Sequence, residues 1–427
     1  MPGYGPVTAE HRERFQDVLQ HAFALGSGPE RDEETTDPAS DDGDGDDVDE
    51  AGDGWPPALS APRGVFDDDG HLVSVCKRYH LDASLHDGYV TIGGLGGVAT
   101  PPEHRREGHV RTLAAGALAE YREEGVTLVA LWPFSTPFYR HLGWGVANKY
   151  TEYELPPAQL SFARGAAGEV RQLSPDDWER LRAVEVAFGE GTALSLRRSE
   201  RWWRERTLGA WPGDAAPYVY GYERDGDLRG FVLYTADSDA DGRALNVQLL
   251  AHADEDAFRG LLGFLADHDS QVDTVRLRRA AETELLDRVD DPGAVDCRIE
   301  SGPMVRLTDV AAGIEAYPWP AGADVEFSLS VADPLLDRND GQFAVAVTGG
   351  DATVEAVESS EEGSPVVAVD DSADVAVDVA TLSQLIVGTY DAREAQRFGE
   401  LAVRREPLED PLVDAFPGGP VCLREFF

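Results

Sequence analysis

The stretch "GGVATPPEHRREGHVRTLAAGALAEY", residues 96–121, decides the fold of the first part of the chain. Its pattern predicts a strand that ends at Thr100, a turn at two prolines, and a helix that opens after Gly108. That helix runs to Gly125, a residue that favours a helix C-terminus. The apolar run "VTLVALWP" (126–133) then predicts a second strand, so the three elements form a β-α-β unit.

The loop between the first strand and the helix is suited to hold an anion. The unpaired N–H groups at a helix N-terminus and the helix dipole both attract a phosphate group. Gly108 lets the backbone approach such a group closely, and Arg105 and Arg106 add positive charge. The sequence therefore predicts a pyrophosphate site at this loop.

Two other interpretations of the same region are weaker. The run "GLGGVA" (94–99) fits a G-x-G-x-x-A dinucleotide motif, but that motif must open a helix, and Pro101-Pro102 disfavours one there. His104 and His109 are five residues apart rather than four, so we predict no metal pair on one helical face and no metal site.

Two further stretches carry functional signals. In "ALWPFSTPFYRHLGWGVANKY" (130–150) a strand end and a proline-rich turn lead into a short helix that carries Tyr139. The chain ends "PGGPVCLREFF" (417–427), an aromatic pair where most chains are polar and frayed. We infer that the terminus is tied down and that the α-carboxylate of Phe427 is held at a definite place.

The rest of the chain divides into three domains by pattern. A second series of elements repeats the order of the first at low similarity, and the last third alternates with period two and then turns helical, as an α+β unit does. The predicted boundaries are 1–156, 157–305 and 306–427, with a disordered acidic insertion at 27–54 in the first domain. No Arg-x-x-Gly loop precedes the helix at 254–269, so the second domain is predicted to bind no coenzyme.

The composition is strongly acidic, with 80 Asp and Glu against 37 Lys and Arg, only two of them lysine, and a net charge of −43. Such a surface resembles that of proteins from salt-loving organisms, of the haloarchaeal type, and it argues against nucleic acid as a partner. No apolar run approaches 20 residues and the three cysteines are scattered, so we expect no membrane partner and a cytoplasmic location.

The Arg-Arg-Glu-Gly loop and "FYRHLGW" (138–144) are similar in spacing to the two halves of the coenzyme A site of GNAT acetyltransferases. With the terminal phenylalanine and the stretches 327–343 and 379–390, the chain resembles the enhanced intracellular survival (Eis) family of N-acetyltransferases. The resemblance covers nearly everything except the acidic insertion. It implies an α/β and α+β fold: two GNAT-like domains, the second degenerate, followed by a sterol carrier protein-type α+β domain.

The same resemblance implies the site. Acetyl-CoA would be the co-substrate, the acceptor a small-molecule or lysine amine, and the assembly a homo-oligomer, a hexamer. Tyr139 would be the general acid and the Phe427 carboxylate the general base. The implied coenzyme residues are Val98, Ala99, Thr100, Arg105, Arg106, Glu107, Gly108, His109, Val110, Arg111, Phe134 and Ser135. Glu107 departs from the pattern, because it puts an acid into a phosphate-binding loop.

Several alternatives stay open at this point. An α-carboxylate with a pKa of about 3.5 is a poor proton acceptor, so either burial raises its pKa or a water molecule relays the proton. The chain could also be a non-catalytic GNAT-derived binding or scaffold protein. A third hypothesis is that the C-terminal domain binds an apolar ligand, since a fold alone does not decide a function.

Overall fold

A computed structural model describes residues 3–23, 59–86, 88–209, 216–239, 242–357 and 373–427. The acidic insertion predicted at 27–54 lies outside these ranges. The chain divides into two compact units. The first comprises Met1–His80, Gly93–Gly125 and the terminal residue Phe427; the second comprises Leu81–Ile92 and Val126–Phe426.

The first unit is a twisted sheet with helices. Its strands are β1 (Gly3–Pro6), β2 (Ala61–Phe66), the part of β3 (Leu72–Leu85) up to His80, and the part of β4 (Gly88–Ala99) from Gly93. They lie side by side in the order β1-β2-β3-β4, with β1, β2 and β3 antiparallel. Helix α1 (Arg12–Phe23) buries Phe15, Val18 and Leu19 against Val75 and Ala99.

The amphipathic pattern of residues 6–25 predicts a helix with Thr8 as its N-cap, and the start of α1 differs from that prediction. The α-helix begins only at Arg12, after a 3₁₀ turn at Ala9–His11. Thr8, the expected N-cap, makes no capping bond to the backbone, because its hydroxyl bonds to the side chains of Glu10 and His11.

Helix α2 (His109–Glu123) follows the predicted loop and ends as the sequence predicts, with Gly125 at φ 78°. Its inner face is buried, and the hydroxyl of Tyr121 donates to the carbonyl of Gly94 at 2.7 Å. The buried Arg78 pairs with Glu120 and Glu124 on the same helix. These contacts attach the helix to β3 and β4 within the first unit.

The second unit begins with a small antiparallel group of strands, β5 (Leu128–Leu131), β6 (Gly145–Val146) and, far along the chain, β14 (Met304–Leu307). β14 pairs with both β5 and β6. The short helix α3 (Thr136–Arg140) lies between β5 and β6 in the chain.

A seven-stranded sheet comes next, in the order β13-β7-β12-β11-β10-β9-β8. Its strands are β7 (Lys149–Leu155), β8 (Glu169–Gln172), β9 (Tyr218–Arg224), β10 (Asp227–Asp239), β11 (Gly242–His252), β12 (Thr274–Ala280) and β13 (Asp296–Ser301). Its helices are α4 (Trp178–Phe188), α5 (Glu200–Trp202) and α6 (Glu255–Ala266). The strand pattern of residues 218–237 predicts a hairpin, and β9 and β10 form it. Helix α6 connects the parallel pair β11 and β12.

Strands are exchanged across both predicted domain boundaries. β7 precedes residue 156 in the chain, yet it pairs with β12 and β13 of the seven-stranded sheet. β14 extends across the predicted boundary at 305/306 and returns to β5 and β6. The predicted boundaries at 156/157 and 305/306 stay a prediction. The strand pairing does not follow them, because β7 pairs with strands beyond the first boundary and β14 pairs with strands that precede it.

The last part of the second unit is a five-stranded sheet in the order β17-β16-β15-β18-β19. Its strands are β15 (Asp324–Ala332), β16 (Gly341–Thr348), β17 (Asp351–Val357), β18 (Val375–Asp378) and β19 (Ala402–Val403). Its helices are α7 (Val310–Glu315), α8 (Val379–Val387), α9 (Ala392–Phe398) and α10 (Glu409–Ala415).

The pattern of residues 379–401 predicts one continuous helix, and this prediction is wrong. The stretch 379–401 is two helices, because Gly388 at φ 82° ends α8 in the left-handed conformation. Asp391 then starts α9 with a capping box that it forms with Glu394.

The helices of the described ranges are short. The longest is α2, with 15 residues, and in those ranges no helix combines the length and apolar character needed to cross a membrane.

Candidate active site

The predicted pyrophosphate loop has an unusual backbone in the first unit. Arg106 has φ 67° and Gly108 φ 84°, and positive φ is uncommon and strained for an arginine. Arg105 turns back to the strand, where its Nε donates to the carbonyl of Thr100 at 3.0 Å. Gly108 caps α2 without a side-chain hydrogen bond, so the N–H groups of the first turn are presented to an anion.

The side chains of the predicted coenzyme residues in the first unit differ in exposure. Arg105, Arg106, Glu107, Gly108 and Arg111 are exposed, Val98, Thr100 and Val110 are half-buried, and Ala99 and His109 are buried. Ala99 can therefore act only through its backbone. The hydroxyl of Thr100 lies 2.9 Å from that of Ser74, which anchors the end of β4.

Glu107 does not face the loop as a free acid. Its Oε2 lies 3.1 Å from Nε2 of His109, so the carboxylate is paired inside the loop. His104 and His109 lie on different elements, the 3₁₀ turn Pro102–His104 and helix α2, yet the loop between them brings the two rings within 6.3 Å of one another. His104, Glu107 and His109 have ligand atoms within 4.8 Å of one another, but no further feature marks this cluster as a metal site, and we assign it no metal.

The chain terminus lies against β4. Phe427 is only 6 % exposed, and its ring centroid is 5.6 Å from that of Tyr79. A Cβ on Gly96 would be 2.5 Å from a terminal oxygen of Phe427, so the carboxylate occupies the space that a side chain would need. The carboxylate and the strand that leads into the loop are thus together in the first unit. Nothing in the sequence apart from the glycine run pointed to Gly96.

Tyr139 lies in the second unit, on α3. Ser135 is the N-cap of this helix in extended conformation, and Tyr139 is 2 % exposed. Its ring is surrounded by the rings of Phe134, Phe138 and Trp144, with centroids 5.2 to 6.2 Å away. Phe134 is 67 % exposed, so it offers an apolar face to a ligand beside the buried phenol.

The turn after α3 is held in place by residues that lie far from it in the sequence. Gly143 has φ 81°, and a Cβ there would clash with the guanidinium of Arg306. Arg306 donates to the carbonyl of Leu142 and pairs at 2.6 Å with Asp333; both charged side chains are fully buried. Removing one partner of such a pair is costly, so this pair holds the turn that follows Tyr139. No local pattern pointed to Arg306 or Asp333.

Three parts of the chain match known domain families. Residues 5–147 match an acetyltransferase (GNAT) domain and residues 194–307 match a second acetyltransferase (GNAT) domain. Residues 310–422 match a sterol carrier protein domain. The predicted fold class, two GNAT domains followed by a sterol carrier protein-type domain, is confirmed.

Relatives match this protein over most or all of the chain. An uncharacterized N-acetyltransferase of Streptomyces griseus is 27% identical over 367 residues, which cover 80% of this chain and 83% of the relative. A GCN5-related N-acetyltransferase from Anabaena variabilis has a similar structure, with a TM-score of 0.78, 18% identity and 100% coverage of both chains. Eis1 from Mycobacterium abscessus matches with a TM-score of 0.68, 21% identity and 100% coverage of both chains.

At sequence identities of 18% and 21%, the similarities to solved structures show only that this chain shares their fold. The two GNAT matches together span more than half of the sequence, and the Streptomyces griseus relative is described as an N-acetyltransferase. The chain is an acetyltransferase and belongs to the GNAT family.

Proposed function

We propose that this enzyme transfers an acetyl group from acetyl-CoA to an amine, with Tyr139 as general acid and the Phe427 carboxylate as general base. The observation that carries the proposal is the position of the chain terminus. The carboxylate is buried against Gly96, on the strand that leads into the predicted pyrophosphate loop. A terminus without a role would be expected to be frayed and solvated.

The coenzyme would be held by the first GNAT domain. The first-turn N–H groups of α2 and the exposed Arg105, Arg106 and Arg111 would bind its pyrophosphate. The exposed Phe134 and the cap residue Ser135 would line its path beside Tyr139. Acetyl-CoA itself supplies the acetyl group and a thiolate leaving group.

The second GNAT domain would bind no coenzyme. The corresponding helix, α6, has Glu255 and Asp256 in its first turn, and Asp254 caps it through a 2.9 Å bond from the N–H of Ala257. Negative side chains therefore occupy the place where a phosphate would bind. Calorimetry in high salt is expected to give one acetyl-CoA per chain, and a stoichiometry near two would contradict this assignment.

The proposed proton transfers balance. An acceptor that arrives as an ammonium ion first gives one proton to the Phe427 carboxylate, directly or through a water molecule, and its free nitrogen then bonds to the carbonyl carbon. A second proton leaves the nitrogen for solvent as the amide forms, and it replaces the proton that Tyr139 gives up; the Phe427 carboxyl releases its own proton to solvent. Backbone N–H groups near Val98 to Thr100 stabilise the negative charge on the carbonyl oxygen. The C–S bond breaks, and the Tyr139 hydroxyl gives its proton to the thiolate. A reference pKa of about 10 makes a tyrosine suitable for that step.

The test is an assay of thiol release from acetyl-CoA with a panel of amines in high salt, using the native chain and a chain extended by one or two residues. Each added residue moves the carboxylate by about 3 Å. Since an error of 1 Å can cost about a hundredfold in rate, turnover should collapse while acetyl-CoA affinity stays the same. Full activity of the extended chain would contradict the carboxylate mechanism. Coenzyme binding without turnover on any amine would favour the scaffold alternative.

The apolar-ligand alternative finds little support. One cavity among the described residues of the sterol carrier protein-type domain has an all-apolar lining that includes Trp319, Phe327 and Phe416. Its volume is about 20 Å³, which is room for roughly one water molecule. A sterol or acyl chain would have to open this core before it could bind.

We also propose, from the resemblance to the Eis family, that the chain assembles as a hexamer. From the excess of 80 Asp and Glu over 37 Lys and Arg, we propose that its acidic surface is adapted to high salt. Light scattering in molar KCl should give the mass of six chains. A strict monomer under those conditions would contradict the assembly.

A further inference from the structure

The last residues before the terminus are bound to the second GNAT domain. The N–H of Ala193 donates to the carbonyl of Pro420, and the N–H of Cys422 donates to the carbonyl of Ala193, both at 2.9 Å. The N–H of Leu423 donates to the side-chain oxygen of Asn148 at 3.0 Å. Residues 420–423 are therefore held by backbone hydrogen bonds, inside the second unit.

Glu425 is held by buried charge. Its side chain accepts a 2.7 Å bond from Nε of Arg198, and Arg206 approaches its other oxygen at 3.5 Å. Arg198 also pairs with Glu185 on α4. Glu185, Arg198 and Glu425 are each less than a tenth exposed. Two carboxylates and two guanidinium groups thus balance one another in this pocket.

The same pocket fixes the backbone next to the terminus. The indole N–H of Trp132 donates to the carbonyl of Glu425, and Arg206 donates to the carbonyl of Phe426 at 2.7 Å. Phe426 as a whole is 58 % exposed and its ring lies 5.6 Å from that of Trp132, so apolar burial holds this residue only in part. Hydrogen bonds to the carbonyls of Glu425 and Phe426 therefore fix the backbone that precedes Phe427.

We propose that Arg198 and Arg206 of the second GNAT domain are positioning residues for the terminal carboxylate, acting through Glu425 and the Phe426 carbonyl. This inference rests on the proposed role of Phe427 as general base. It gives the second GNAT domain, which has no coenzyme loop, a function in the reaction. Buried ion pairs add little net stability compared with apolar packing, which fits a role in fixing geometry.

The first test is Arg206→Met, which removes the donor to the Phe426 carbonyl and one partner of Glu425. We expect kcat to fall by about ten- to hundredfold, as displacement of a catalytic group by about 1 Å can do. The acetyl-CoA dissociation constant should stay within about twofold, because the loop residues Arg105 and Arg106 are unchanged. Glu425→Gln, which keeps the side-chain volume, should act in the same direction.

A second readout separates positioning from mere structural damage. The base is needed most when the amine is protonated at the assay pH, so the loss in kcat should shrink for an acceptor amine of low pKa. Arg206→Lys, which retains the charge and a donor, should recover part of the rate. The matched control is Arg201→Met, in the same segment, whose guanidinium pairs with the exposed Glu205; it should behave as the native enzyme.

The outcomes distinguish this inference from the function on which it rests. If extension beyond Phe427 abolishes turnover but Arg206→Met and Glu425→Gln keep kcat within about twofold, the positioning role is wrong and the carboxylate mechanism stands. An equal loss of kcat with both kinds of amine, together with a lower melting temperature, would also overturn the positioning role. If extension leaves turnover intact, the proposed function itself fails.

Discussion

Gly96 lies where the chain terminus returns to β4, and it leads to the sharpest test at the residue scale. A Cβ at this position would be 2.5 Å from a terminal oxygen of Phe427 and 3.2 Å from the ring of Tyr79. Gly96→Ala should therefore displace the carboxylate. We expect turnover to fall by about tenfold or more with little change in acetyl-CoA affinity, measured by thiol release and calorimetry.

Gly88→Ala is the matched control for that substitution. Gly88 also lies on β4, and apart from its chain neighbours no atom of the described residues lies within 4 Å of the Cβ that alanine would add. This variant should keep native turnover. Native turnover in Gly96→Ala as well would show that the carboxylate position has no effect on the reaction.

Tyr139 is a second residue whose role can be isolated. Tyr139→Phe removes the proposed proton donor and keeps the ring that packs against Phe134, Phe138 and Trp144. We expect kcat to fall by about 10²- to 10⁴-fold, the usual contribution of a positioned acid, with coenzyme affinity and melting temperature nearly unchanged. Phe138→Leu, a change in the same aromatic cluster that leaves the phenol, is the control. A Tyr139→Phe enzyme with native kcat would remove Tyr139 from the mechanism.

At the scale of elements, the end of β11 is packed between two helices. The ring of His252 lies 4.7 Å from that of Phe188 on α4 and 4.8 Å from that of Phe258 on α6. Burial, followed by the charge of Arg279, lowers the pKa of His252 to about 4. This histidine is neutral in the folded chain at pH values where the unfolded chain already binds a proton.

The sign of the pH effect follows from this difference. The stabilising contribution of neutral His252 is complete above the unfolded pKa of about 6.5 and is lost as the pH falls towards 4. The His252→Phe variant has no titratable side chain at this position, so it does not lose this stabilising contribution as the pH falls. The melting temperature of the native chain relative to this variant should therefore decrease between pH 7 and pH 4, by an amount equivalent to up to about 3 kcal/mol.

The native chain and the His252→Phe variant have the same carboxylates. The titration of those groups therefore cancels in the difference between the two melting temperatures. His21→Phe, a change at an exposed position of α1, is the control and should follow the native chain at every pH. A constant difference between the native chain and His252→Phe across this range would mean that His252 titrates normally in the fold.

At the scale of the whole molecule, charge dominates. A net charge of −43 opposes the compact state, and salt reduces this repulsion because the screening length falls from about 8 Å at 0.15 M to about 3 Å at 1 M. The melting temperature should rise steeply up to about 1 M KCl, as measured by calorimetry, and more slowly beyond. A melting temperature that is independent of salt would contradict the proposed adaptation.

Local patterns in the sequence were sufficient for the elements that carry their own signals. The loop and helix α2 follow from a proline turn, Gly108 and Gly125, and the hairpin of β9 and β10 follows from strand periodicity around a turn. These features depend on neighbours a few residues apart, so the chain shows them directly. The break after Gly388 was missed because the apolar pattern continues through it, although the glycine conformation decides the boundary.

The tertiary structure alone decided the rest of the candidate site. The terminal pair predicted an ordered end, but only the fold places Phe427 at Gly96, Glu425 at Arg198, and Asp333 with Arg306 beside the turn after Tyr139. The pairing of β7 with β12 and of β14 with β5 was likewise decided only by the tertiary structure. Glu425 and Arg198 are 227 positions apart, and no periodicity or cap couples residues at that distance. Their contact comes from packing and buried charge pairing, which exist only once the chain has folded.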